Sequence, residues 1–358
     1  MAEKKLMKGN EAFATAAINA GCRYYFGYPI TPQNEVPEFM SRELANYGGA
    51  FLQAESELAA INMAYGAASA GGKVLITSSS PGIALMQEGF SFFASTQTPV
   101  VAINVSRGGP GIGSIQPSQA DYEQVTRGGG NGDYHTIVYA PASVQEAVNM
   151  IGKAFDVAEE YRNPVIVCAD GILGQMMEPV LIPPAVEPIK EEDIPKFRPW
   201  AITGHKNKRE KIAHKSVWLQ QEGLETYINS YWPKYVKAEK ELPEWESTNV
   251  ADAEVVFVAY GSTARVVLEA VELLNAQGIK AGLIRLKTLW PFPTEAFKEI
   301  GPKTKHVVCA ELSMGQMMKD VECVLQGKYP VSLVNRVGGM LLDPIEVTER
   351  TKKILEVK

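Results

Sequence analysis

Residues 73–106, KVLITSSSPGIALMQEGFSFFASTQTPVVAINVS, decide the fold. Residues 73–78 and 99–106 are short β-branched runs without polar alternation, the pattern of strands buried on both faces. Between them, residues 83–95 carry apolar side chains at helical spacing. Strand, helix and strand in such close succession read as a parallel crossover unit. The same alternation runs outward in both directions. It predicts strands at 23–27, 50–54, 136–139 and 164–168, and helices at 56–69 and 142–160, the latter with Ser143 placed to cap it. Residues 1–180 therefore read as a doubly wound, parallel α/β sheet.

The pattern then breaks. Residues 176–200 are rich in proline and acid, residues 205–216 are basic, and GLETYINSYWPKYVKAEK at 223–240 is helical and aromatic, with Pro233 interrupting it. Residues 181–250 are expected to form a partly ordered connection, within which 190–250 either cover a partner chain or lie solvated on the surface. Strands predicted at 254–260, 280–286, 304–310 and 331–335 then make a second α/β unit over 251–358.

Composition excludes several classes. The 358 residues carry a net charge of -6, which leaves no electrostatic footprint for nucleic acid. MAEKKLMKGNEAF lacks the apolar core of a secretory signal, and no run approaches the roughly 18 apolar residues of a membrane span. The four cysteines, Cys22, Cys168, Cys309 and Cys323, form no CxxC pair, so buried reduced thiols in a cytoplasmic protein are expected, with no iron–sulfur cluster on this chain.

Ligands of open parallel sheets bind beyond the carboxyl ends of the strands. There the sequence sets Tyr28-Pro29-Ile30-Thr31-Pro32, Glu55-Ser56-Glu57, Ser78-Ser79-Ser80-Pro81-Gly82 and Arg107-Gly108-Gly109. Each has a plainer explanation. Thr31 suits an N-cap, with Pro32 in the first helical turn. Glu57 suits the positive end of a helix dipole, and Arg107 could pair with a surface carboxylate. Tyr260-Gly261-Ser262-Thr263 reads as a turn and helix cap. GGPGIG at 108–113 departs from GxGxxG, and RGGGNGD at 127–133 lacks the Lys-Ser/Thr of a P-loop, so a nicotinamide-dependent dehydrogenase is a poor reading.

GYPITPQNEVPE, QAESELAAINMAYGAA, TSSSPGIALMQEG, RGGPGIG, GGGNGDY and ADGILGQMMEPV run in order through the first 180 residues, followed by RLKTLWPFP at 285–293 and ELSMGQM at 311–317. In this series the chain resembles the alpha subunit of the 2-oxoacid:ferredoxin oxidoreductases, most of all the branched-chain (2-oxoisovalerate) members. The resemblance implies a pyrimidine-binding domain of the thiamine-enzyme type followed by a transketolase C-terminal-like domain. It implies oxidative decarboxylation of a 2-oxo acid to its acyl-CoA with ferredoxin as electron acceptor. Thiamine diphosphate is then shared with a beta subunit, which holds Mg2+ and the diphosphate. Coenzyme A is co-substrate, and gamma and ferredoxin-like delta subunits complete the complex, with [4Fe-4S] clusters on the partner chains. The nearest match here to the beta chain's GDG motif, Ala169-Asp170-Gly171, begins with alanine, so the chain is expected to be inactive alone.

Carried over by motif, Glu57 falls at the glutamate that hydrogen-bonds N1′ of the aminopyrimidine. Thr31 and Arg107 fall at positions holding the carboxylate and carbonyl end of the oxo acid, and Ser80 and Gly82 border the pyrimidine. Alternatives are a 2-oxoglutarate or pyruvate member of the same family, and a non-catalytic assembly subunit.

Overall fold

A computed structural model describes residues 4–356 other than 206 and 208. The expected strands form the centre of a seven-stranded sheet, in the order Thr288–Trp290, Ile137–Tyr139, Pro164–Asp170, Val100–Ser106, Val74–Ser78, Tyr24–Gly27, Ala50–Gln53. Every neighbouring pair is parallel except the first. Val74–Ser78, Val100–Ser106 and Pro164–Asp170 are buried at every residue, as their unbroken apolar runs require. Helix Gly9–Asn19 packs on Val144–Tyr161, and Glu57–Ser69 packs on Gln87–Ser95. Ser143 caps its helix, accepting the Glu146 N–H at 3.1 Å.

The chain leaves Tyr24–Gly27 for the outer strand Ala50–Gln53, then returns past it to Val74–Ser78. Successive connections thus depart on opposite sides of Tyr24–Gly27. Such a reversal opens a crevice at the carboxyl ends of the two inner strands. The segments that follow them begin at Tyr28 and Ser79.

A second sheet runs Val331–Asn335, His306–Glu311, Val255–Tyr260, Ala281–Leu286, Trp245–Thr248, parallel but for the last strand. Lys5–Lys8 pairs antiparallel with Met177–Val180. Thr288–Trp290 leaves this second half to pair with Ile137–Tyr139 of the first sheet.

The connection lies against the chain itself. Val186 N–H bonds Asn19 O at 2.8 Å, Ile202 N–H bonds Ser69 O at 2.8 Å, and Arg198 Nη1 donates to Gly71 O at 2.6 Å. The aromatic stretch forms two helices, Gln221–Tyr231 and Pro233–Glu241, with Pro233 opening the second. Tyr227, Tyr231 and Tyr235 hydroxyls donate to Ser95 O, Asp133 O and Asn163 Oδ1 at 2.7, 2.9 and 2.9 Å. His135 stacks on Trp290 with ring centres 4.4 Å apart. Much of the aromatic surface therefore packs against this chain's own first sheet.

Of the cysteines, Cys22, Cys168 and Cys309 are buried, and burial pushes the Cys22 thiol up to about 11. Cys323 departs from expectation: it is exposed on helix Gln316–Leu325. Among the described residues, no helix is long and apolar enough to cross a membrane.

Candidate functional site

Ser56 caps helix Glu57–Ser69, accepting the Ala59 N–H at 3.2 Å. Glu57 is thereby the first helical residue, where the dipole favours a carboxylate. Its side chain is 5% exposed, yet among the described residues its carboxylate has neither a hydrogen bond nor an ion pair. Buried carboxylates ordinarily have partners. The reason for its access is Gly82: a Cβ there would stand 2.4 Å from Glu57 Oε1 and 2.0 Å from Ser78 Oγ. Only a residue without a side chain leaves that space. Among the described residues, Ser78 Oγ and Ser79 Oγ are likewise buried without partners.

Thr31 does not cap a helix. Gln33 N–H bonds Ile30 O at 3.1 Å and Val36 N–H bonds Gln33 O at 2.9 Å, and these turns delay the helix to Glu35–Glu43, with Asn34 at its N-cap. The Thr31–Pro32 bond is cis. Thr31 Oγ1 accepts from Asn34 Nδ2 at 3.4 Å. The segment is clamped from behind by two residues the sequence did not single out. Asn10 Nδ2 and Gln175 Nε2 each donate to Pro32 O at 2.8 Å and to Glu35 Oε2 at 2.6 and 3.0 Å. Lys8 Nζ meets Glu35 Oε1 at 2.5 Å. Burial alone would raise the Glu35 carboxyl, but these donors hold it below the usual range. Thr31, Asn34, Glu35, Gln116 and Gln175 line one cavity of about 400 Å³.

Arg107 is also buried, and it pairs with no carboxylate among the described residues. Its guanidinium donates to Thr31 O at 2.8 Å and Ile112 O at 2.9 Å, while Nε is buried without a partner among the described residues. Ser80 Oγ accepts the Arg107 N–H at 2.9 Å and donates to Asp121 Oδ2 at 2.5 Å. Thr31, Ser80 and Arg107 are thus joined by hydrogen bonds, and Glu57 and Gly82 touch two residues further along the Ser80–Leu85 helix. Neither Glu57 nor Arg107 lines the 400 Å³ cavity.

Tyr260–Thr263 is no simple cap. Tyr260 has no side-chain cap bond, Ser262 Oγ donates to Asp170, and Thr263 Oγ1 donates to Gln119 Oε1 at 2.9 Å. These hydroxyls join the two sheets.

A family model described as "Pyruvate flavodoxin/ferredoxin oxidoreductase, thiamine diP-bdg" matches residues 15–241, and one described as "Pyruvate:ferredoxin oxidoreductase core domain II" matches 253–347. The chain is 44% identical to "Ketoisovalerate oxidoreductase subunit VorB" of Methanothermobacter marburgensis, over 99% of this chain and 97% of the relative. Among solved structures, it superposes with a TM-score of 0.80 on a 2-oxoglutarate:ferredoxin oxidoreductase from Magnetococcus marinus with 2-oxoglutarate, coenzyme A and succinyl-CoA bound. That match has 26% identity and covers 98% of this chain but 65% of the longer one. A split-gene transketolase, at 17% identity and TM-score 0.58 over 98% of this chain and 99% of that one, shares the fold.

Proposed function

The chain belongs to the 2-oxoacid:ferredoxin oxidoreductase family, and we propose that it is the subunit that holds the aminopyrimidine of thiamine diphosphate for decarboxylation of a branched-chain 2-oxo acid. The Glu57 carboxylate carries this reading: it is nearly buried, unpaired among the described residues, and open on the side that Gly82 leaves clear. Such a group suits a hydrogen-bond donor that arrives from outside the chain. When bound, thiamine diphosphate supplies the carbon nucleophile that lets the oxo acid lose carbon dioxide.

Glu57 has one task in this reading. Its carboxylate shares a proton with the pyrimidine N1′, which favours the tautomer able to act as base. Acid–base help of this kind is worth about 10²–10⁴ in rate. Thr31 offers its hydroxyl to the oxo acid. Arg107 uses two of its five N–H groups on Thr31 O and Ile112 O. Those bonds fix the plane of the guanidinium and leave its charge and remaining N–H groups for a carboxylate.

A branched-chain substrate is favoured by 42–44% identity to two ketoisovalerate oxidoreductase subunits, against 33–39% to 2-oxoglutarate synthase subunits. A beta chain would supply the diphosphate and Mg2+ site, and clusters on gamma and delta chains would pass electrons to ferredoxin, with coenzyme A taking the acyl group.

The test uses the assembled complex. Glu57→Gln should leave thiamine diphosphate bound and cut turnover on 2-oxoisovalerate at least tenfold, and Thr31→Val should raise KM for the oxo acid. Full activity of Glu57→Gln would overturn the N1′ role. Faster wild-type turnover on 2-oxoglutarate or pyruvate would overturn the substrate.

A further inference from the structure

Behind Arg107 lies a buried carboxylate for which the proposed chemistry has no use. Asp121 Oδ2 accepts from Ser80 Oγ at 2.5 Å, Asn104 Nδ2 at 2.8 Å and Ser106 Oγ at 2.9 Å. Asn104 and Ser106 belong to the central strand Val100–Ser106 that leads into Arg107, and Ser80 accepts the Arg107 N–H. Burial pushes the Asp121 carboxyl up, while the three donors and the Arg107 charge pull it back.

The residues flanking Asp121 face the other way, into the second half of the chain. Ser118 Oγ and Gln119 N–H both donate to Leu312 O, at 3.2 and 3.0 Å. The Gln119 side chain donates to Tyr260 O at 2.9 Å and accepts from Thr263 Oγ1 and Leu312 N–H, each at 2.9 Å. Tyr122 OH donates to Asp320 Oδ2 at 2.5 Å. The loop closed by the Arg107–Pro117 bridge touches the second half as well: a Cβ on Gly339 would stand 2.4 Å from Gln116 Cβ.

Five consecutive residues, 118–122, therefore grip the second half by one edge and the root of Arg107 by the other. We propose that Asp121 is a positioning residue: it passes the seating of the second half through Ser80 to the Arg107 backbone, and so sets where the guanidinium meets the oxo-acid carboxylate. This rests on the reading that Arg107 binds that carboxylate. No covalent step is involved. The isosteric change Asp121→Asn keeps one acceptor oxygen for the three donors but removes the carboxylate's charge, and charge-assisted bonds are roughly twice as strong as neutral ones, so the site would loosen without creating a cavity.

The experiment compares Asp121→Asn, Gln119→Glu and Arg107→Lys in the assembled complex. Gln119→Glu keeps the acceptor for Thr263 and Leu312 but loses the donor to Tyr260 O. Both Asp121→Asn and Gln119→Glu should raise KM for the 2-oxo acid fivefold or more, with kcat changed less than threefold and thiamine diphosphate affinity within twofold. The double variant should be little worse than Asp121→Asn alone, because both act along one path. If neither moves KM while Arg107→Lys does, the proposal is overturned and the role of Arg107 stands. If Arg107→Lys also leaves KM unmoved, that role falls and the proposal with it. An equal loss of oxo-acid and thiamine diphosphate binding marks general loosening and overturns positioning. Should Asp121→Asn fail to assemble, an unmoved KM in Gln119→Glu is enough to overturn it.

Discussion

Replacing Gly82 with alanine adds one methyl group at a point where the structure has little room for it. The backbone would accept alanine, since Gly82 lies inside the Ser80–Leu85 helix with no left-handed φ. The new Cβ would stand 2.4 Å from Glu57 Oε1 and 2.0 Å from Ser78 Oγ, against ordinary contact from about 3.4 Å. Glu57 must therefore retreat by about 1 Å, or turn its carboxylate away. Overpacking of this kind costs about 1–3 kcal/mol in stability, which a fold of this size survives. A 1 Å misplacement of a group in the reaction can cost about 10²-fold in rate. Gly82→Ala should thus assemble normally, melt slightly lower, and lose about a hundredfold in kcat. Viologen reduction driven by 2-oxoisovalerate and coenzyme A reads the rate, and size-exclusion chromatography reads assembly. A variant with wild-type kcat would refute the placement of the cofactor against Glu57, because no arrangement of Gly82 and Glu57 absorbs the methyl group without displacing the carboxylate.

Two predictions concern pH. Glu146 joins the halves through Arg285 and Lys287. Burial raises its carboxyl, but hydrogen bonds from Arg285 and the Ala142 N–H, with the charges of Arg285 and Lys287, hold it below the usual value. An acid held low stabilises the fold above its unfolded pKa, about 4.3, and that stabilisation fades as pH falls through the folded value. Melting curves between about pH 6 and 3 should be less pH-dependent for Glu146→Gln than for the wild type. Lys234 is pulled down to about 7 by burial and by Arg162. The unfolded chain then binds the extra proton between about pH 7 and 10.4, so stability should rise with pH across that window. Lys234→Met should abolish the rise, as denaturant midpoints at neutral and alkaline pH would show.

The inner strands were legible because each is a local signal: a β-branched run with turn residues on both sides. Val74–Ser78 and Val100–Ser106 begin one residue inside their predicted bounds and end on them. The missed strands lack that signal. Lys5–Lys8 and Met177–Val180 are short and polar, and each becomes a strand only by meeting a partner more than 160 residues away. The candidate site divides the same way. Glu57, Thr31, Arg107, Ser80 and Gly82 follow strands, so topology gathers them. Asn10, Gln175 and Asp121 act through hydrogen bonds spanning 15 to 143 residues, and nothing in their own segments announces those partners. Thr31 was misread as a cap because a threonine before proline looks the same whether the helix starts at once or, as here, after two further turns.

Thr288–Trp290 gives the molecule an unusual interdependence. Severing the polypeptide within 181–250 would not yield two self-sufficient pieces, since the front piece would keep Ile137–Tyr139 with its hydrogen-bonding rim bare, a template for sticking to other chains. Coexpressed fragments would have to find each other during biosynthesis, and the rear fragment would act as an intramolecular chaperone by lending that strand.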